Sequence, residues 1–175
     1  MVNFDTCREA IAAEPSPQEA DSHFNAGENL ISVSIAIPWS FERRREITRP
    51  WRLHVVLTNT SNQPQNIWKE WNSWGYYALS FEVTDEHGKT SIVRKGIKVW
   101  TVDGTDYWTL DPHESLVIDV DCASDEWEGF PRPTKEPQSV AMRAIFEIKP
   151  DAASRKFSVW TGRVFSKVAD YTFYK

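Results

Sequence analysis

Three tryptophans stand at a spacing of three, Trp68, Trp71 and Trp74, within Ile67-Trp68-Lys69-Glu70-Trp71-Asn72-Ser73-Trp74-Gly75-Tyr76-Tyr77. On one helical turn or in a compact loop, that spacing brings at least two indoles to one side. Indole faces stack on sugar rings, on peptide side chains and on bases. They also cap the open end of a sandwich core, because large aromatic rings are usually buried. Arg43, Arg44, Arg45, Arg49 and Arg52 form the one basic concentration. On a strand, Arg43 and Arg45 share a face, where an anionic partner would dock. The competing reading is a salt-bridged strand edge that deters edge-to-edge pairing.

Other reactive residue types do not assemble into a centre. Asp111, His113 and Ser115 are the types of a hydrolase triad. Two apart along a short stretch, they cannot converge on one reacting atom, and no Gly-x-Ser-x-Gly elbow occurs. They read as a turn whose bend Pro112 fixes. His23, His54, His87 and His113 are scattered, with no second His or Cys at ligand spacing. The acidic run Asp119, Asp121, Asp125, Glu126 and Glu128 lacks the Gly-containing spacing of a calcium loop and reads as a solvated strand end. Cys7 and Cys122 belong to no Cys-x-x-Cys motif and read as reduced thiols. No catalytic residue, metal or cofactor is therefore expected.

The elements that must position the tryptophans are strands. From Leu30 the apolar period becomes two, with Ile31, Val33, Ile35 and Ile37 on one parity and Ser32, Ser34 and Ala36 on the other. Trp51, Leu53, Val55 and Leu57 repeat the pattern until Asn59-Thr60-Ser61-Asn62-Gln63-Pro64 stops the strand. Tyr77, Leu79, Phe81 and Val83 predict a third buried row, followed by a hairpin at Asp85-Glu86-His87-Gly88. Asp103-Gly104 predicts a two-residue hairpin turn that sets Trp100 opposite Tyr107 and Val99 opposite Trp108. Further strands are predicted through Leu116, Ile118 and Val120, through Val140 to Ile148, and as one or two strands between Phe157 and Tyr174. Upstream, Ser16-Pro17-Gln18-Glu19 carries helix-start chemistry, and Thr6 with Glu9 suggests a second capping box.

A length of 175 residues suits one domain with a sizeable core. A net charge of −5 argues against general affinity for nucleic acid, which needs an excess of Lys and Arg. No apolar run is long enough to span a bilayer, and residues 1–26 carry no signal-peptide core. Taking Met1 as the natural start, the expected address of this soluble chain is the cytoplasm.

Three turns carry a resemblance. Leu57-Thr58-Asn59-Thr60-Ser61-Asn62-Gln63-Pro64 looks like an "N-x-S-x-x-P" turn, and Leu79 to Asp85 with Gly88-Lys89 like an "f-x-v-x-D-x-x-G-k" hairpin. Leu110-Asp111-Pro112-His113-Glu114-Ser115 is similar to an "L-x-P-G-E-s" turn, with His113 where the pattern has Gly. Together they make Leu53 to Val120 resemble the intracellular proteinase inhibitor family of bacteria. The tail Val159 to Ser166 looks like the end of a broader group of bacterial sandwich domains. The expectation is an all-β, immunoglobulin-like antiparallel β-sandwich of eight or nine strands over residues 29–175, preceded by an arm over residues 1–28 with one or two short helices. Its expected role is non-catalytic binding of another protein, at Trp68, Trp71 and Trp74 with Arg43 and Arg45, with neither nucleic acid nor membrane as partner. The resemblance implies an alternative, inhibition of an intracellular protease by an exposed loop, and no inhibitory residue is carried across from it.

Overall fold

In a computed structural model, residues 30–38, 45–101 and 104–175 are described. The expected N-terminal arm, Cys7, Arg43, Arg44 and Asp103 lie outside them. In chain order the strands are β1 (Ile31–Ala36), β2 (Glu46–Ile47), β3 (Arg52–Asn59), β4 (Gln65–Trp68), β5 (Leu79–Asp85) and β6 (Thr90–Lys95). They continue with β7 (Tyr107–Leu110), β8 (Ser115–Asp121), β9 (Trp127–Glu128), β10 (Gln138–Ile148), β11 (Gly162–Phe165) and β12 (Ala169–Phe173). Two short helices, α1 (Ser73–Tyr76) and α2 (Ala152–Lys156), complete the described residues. The chain is all-β.

Sheet order follows from which strands carry a buried row. One sheet runs β1-β3-β8, and in it Leu53 faces Val120, Val55 faces Ile118 and Leu57 faces Leu116. A second runs β2-β12-β10-β5-β6-β9, with β11 added along the end of β10. All its pairings are antiparallel except β12 with β2. The eleven-residue β10 is its spine: Val140, Met142, Ala144, Phe146 and Ile148 all point into the core. One apolar cluster joins the inner faces of both sheets, from Ile31, Leu53 and Val55 to Phe81, Met142 and Phe173. Each such side chain contributes roughly 1.5–3 kcal/mol by leaving water.

Several expectations change. Three strands go beyond the nine that the periodicity supports, namely β2, β4 and β9, two of them only two residues long. Phe157 to Tyr174 holds two strands, one of the two alternatives expected, parted at residues 166–168. Tyr77 is not the start of a buried row; it caps the end of α1 and is exposed. Tyr107 and Trp108 do not face Trp100 and Val99, for β7 pairs with β4, setting Tyr107 opposite Trp68 and Trp108 opposite Ile67. The reason is burial: Ile67, Trp68 and Leu110 belong to the core, whereas Ile97 and Val99 are exposed and offer no inward face to a ladder.

The two turns that hold β4 and β7 are clasped by one side chain. The Asn59 amide is fully buried, and its nitrogen donates to the carbonyls of Gln63 (2.8 Å), Leu110 (3.0 Å) and Asp111 (3.1 Å). Its oxygen accepts from the Ser61 hydroxyl (2.7 Å) and the Ser61 N–H (3.0 Å). These are the Asn and Ser of the first turn motif, and burying the amide without such partners costs several kcal/mol. Asp111, His113 and Ser115 form a turn: the His113 N–H donates to the Asn59 carbonyl, and the Ser115 hydroxyl meets that of Thr58 at 2.8 Å. His113 sits at φ 67°, in the left-handed region that glycine adopts most easily.

Candidate binding surface

The tryptophan segment is shaped by the end of β4. After Trp68 the chain turns, the Lys69 N–H donating to the Asp106 carbonyl (3.1 Å) and so extending the β4–β7 pairing. Asn72 then caps α1: its side-chain oxygen accepts from the Gly75 N–H (2.9 Å), and its amide nitrogen donates to the same Asp106 carbonyl (2.8 Å). Gly75 is required by proximity. A Cβ there would lie 2.2 Å from the Lys69 carbonyl oxygen, so only glycine lets the helix settle on the turn.

This geometry splits the three indoles. Trp68, 2% exposed, belongs to the core, and Trp74 packs on it with ring centroids 5.6 Å apart. Tyr107 and Phe157 add edge contacts to Trp68 at 6.3 and 5.9 Å. The Trp74 indole N–H donates to Asp151 Oδ2 at 2.9 Å. Asp151 in turn caps α2 and is closed into a capping box by Ser154. Its carboxyl is held below the ordinary carboxylate value, first by the Ser154 backbone N–H, then by the Ser154 hydroxyl and Trp74.

Trp71 turns the other way and is 57% exposed. It meets Trp108, 41% exposed, edge to face at 5.7 Å. The Lys69 ammonium lies 4.8 Å from the Trp71 ring centre and 4.3 Å from that of Trp108. Asp106 binds the same ammonium at 2.9 Å. The bond from Lys69 is the first cause of the lowered Asp106 pKa, with the Lys69 charge, the Tyr107 N–H and the Trp71 indole adding to it. The result is an indole pair propped on a cation whose charge is already matched, which presents π surface to solvent with little net charge.

A second aromatic–lysine group follows along the chain and carries an exposed segment. Lys95 pairs with Glu70 at 3.4 Å and lies 4.5 Å from the Tyr76 ring centre, while Lys98 lies 4.9 Å from the ring centres of both Tyr76 and Trp100. The Lys98 backbone N–H donates to the Tyr77 hydroxyl at 2.9 Å. On this pinned segment Ile97 is 98% exposed and Val99 84% exposed, as open as apolar side chains can be.

Of the residues that the sequence singles out, the structure brings Trp68 and Trp74 together and sets Trp71 apart with Trp108. Arg45 is remote from all of them. Its carbonyl accepts from the Thr172 N–H, beside Ser139 at the start of β10, whereas Trp74 and Asp151 adjoin the end of that strand. Its guanidinium lies 5.9 Å from the Tyr171 ring centre. Arg49 similarly covers Trp51 at 4.9 Å, and Arg52 stands opposite Asp121 across the β3–β8 ladder. Trp108 carries no local signal, because its contact with Trp71 exists only once β4 and β7 pair. Cys122 is fully buried, and its thiol is pushed up to about 12 by burial and by Asp121. Among the described residues no three His, Cys, Asp or Glu side chains gather as metal ligands, and no helix is long and apolar enough to cross a membrane. No protein-family model and no curated protein matches the chain.

Proposed function

We propose that the chain is a non-catalytic binding module on an immunoglobulin-like sandwich, and that it docks another protein through Trp71 and Trp108. The observation that carries this reading is the pair of adjacent, exposed indoles, braced from below by Lys69 and Asp106. Tryptophan is the residue most enriched where binding energy concentrates, because it hides a large area at little entropic cost. A brace that holds the rings before contact lowers that cost further. Selection of peptides from a displayed library on the folded protein tests the reading. Enriched peptides should shift the indole N–H resonances of Trp71 and Trp108 and lose binding to a Trp71→Ser/Trp108→Ser variant. Failure to enrich any peptide, or binding indifferent to both substitutions, rejects it.

A second reading, protease inhibition, is favoured by Ile97 and Val99. An inhibitory loop must offer apolar side chains to a protease subsite while its backbone is held still, and the Lys98 N–H bond to Tyr77 supplies such a hold. The left-handed backbone of His113, at the position where the inhibitor pattern has Gly, also supports it. Titration of serine and cysteine proteases with the chain decides the matter. Slowed turnover that Ile97→Ser/Val99→Ser abolishes supports inhibition; cleavage between residues 96 and 101 with unchanged turnover rejects it.

A further inference from the structure

Across the solvent side of the second sheet runs a groove of about 570 Å³, separate from the Trp71–Trp108 pair. That volume lies within the range of small-molecule sites, roughly 300–1,000 Å³. Its floor is built from the parity of β10 that faces away from the core. Ile145 lies on that side, in register with Ser80 of β5, which in turn faces Arg94 of β6. Ile145 is only 2% exposed yet takes no part in the main apolar cluster. The small Ser80 leaves the trough open beside it, and the rings of Trp74 and Tyr77 form a wall.

Charge around the groove is unbalanced. Both carboxylates in its lining are already engaged, Asp151 by Trp74 and Ser154 and Glu147 by Arg163 at 3.7 Å. Lys95 is held by Glu70. Arg94 and Lys149 are exposed at the rim, and neither has an ion-pair partner among the described residues. An apolar floor, aromatic walls and two uncommitted cations together recognise one chemical class.

We propose that this groove binds a small organic carboxylate with an aromatic body, the ring seated on Ile145 against the wall of Trp74 and Tyr77 and the carboxylate held by Arg94 and Lys149. Arg94 suits the role because its planar guanidinium meets a carboxylate with two parallel hydrogen bonds. Neither cation lies in the core, so both can be removed without opening it.

The test uses phenylbutyrate and its neutral counterpart phenylbutanol, with the full chain labelled at isoleucine methyls and indole nitrogens. Phenylbutyrate should shift the Ile145 methyl and the Trp74 indole N–H saturably. Arg94→Ala/Lys149→Ala should weaken that binding about tenfold, the scale of a lost charge-assisted hydrogen bond. Phenylbutanol should bind more weakly and ignore the substitutions, and added salt should narrow the gap between acid and alcohol. The Trp71→Ser/Trp108→Ser variant should bind phenylbutyrate as the wild type does, which separates this site from the protein-docking surface. Equal affinity for acid and alcohol, shifts centred elsewhere than Ile145, or a double variant that binds like the wild type would overturn the proposal.

Discussion

Trp68 and Trp71 stand three residues apart in one segment, and the fold treats them oppositely. Trp68 ends a strand whose partner brings Tyr107 across to it, and Trp74 and Phe157 close the remaining sides. Trp71 lies in the turn beyond, where the chain has left the ladder, with Trp108 and Lys69 against its ring and Asp106 at its indole N–H. Residue type alone does not decide whether an indole is structural or available. What decides is whether a second strand arrives to cover it.

The contrast can be broken most directly by truncation. Trp68→Ala should cost about 4 kcal/mol, the scale of an aromatic ring removed from a packed core, read by urea denaturation. A cost below about 1 kcal/mol would show that Trp68 is not part of the packed interior. Trp74→Phe keeps a ring but removes the N–H donated to Asp151 and part of the packing on Trp68, so about 1–2 kcal/mol is expected. That difference also carries a sign with pH. Because the Asp151 carboxyl is held below its unfolded value, the stability it contributes is fully present above about pH 4 and is lost as pH falls through the lower folded value. Wild type and Trp74→Phe should therefore converge in acid and separate at neutral pH in denaturation curves taken across that range. Smallest of all, Trp71→Ala and Trp108→Ala should each change stability by about 0.5 kcal/mol or less, while altering the surface on which docking depends. If Trp71→Ala proves as costly as Trp68→Ala, the distinction between inner and outer indoles fails.

How far the fold was readable depends on how far apart the partners lie. β1, β3, β5, β8 and β10 declare themselves by alternation, because each lays one face on the core. The hairpin at Asp85 is equally local: Gly88 takes φ 79°, and the Asp85 side chain accepts from the N–H groups of His87 and Lys89. The β4–β7 ribbon is not local. Its strands are four residues long, too short for a clear period, and the Asp103-Gly104 pair suggests a nearer partner for β7 that burial overrules. That one pairing determines which tryptophans are covered, so the segment was legible as unusual while its exposed member and Trp108 were not. The groove on β10 was hidden for another reason. Ile145 reads as one more apolar residue in a core strand, and only the register shows it facing outward.

The Asn59 clasp has a consequence in time as well as in space. Its amide reaches the Leu110 carbonyl across fifty-one residues of chain, so the bonds cannot close until two distant turns have already been carried together by their strands. Closure after those strands have met predicts a latch that acts late in assembly. Stopped-flow kinetics of Asn59→Ala should show faster unfolding with refolding almost unaltered; a slowed refolding arm would place the latch in the nucleus instead.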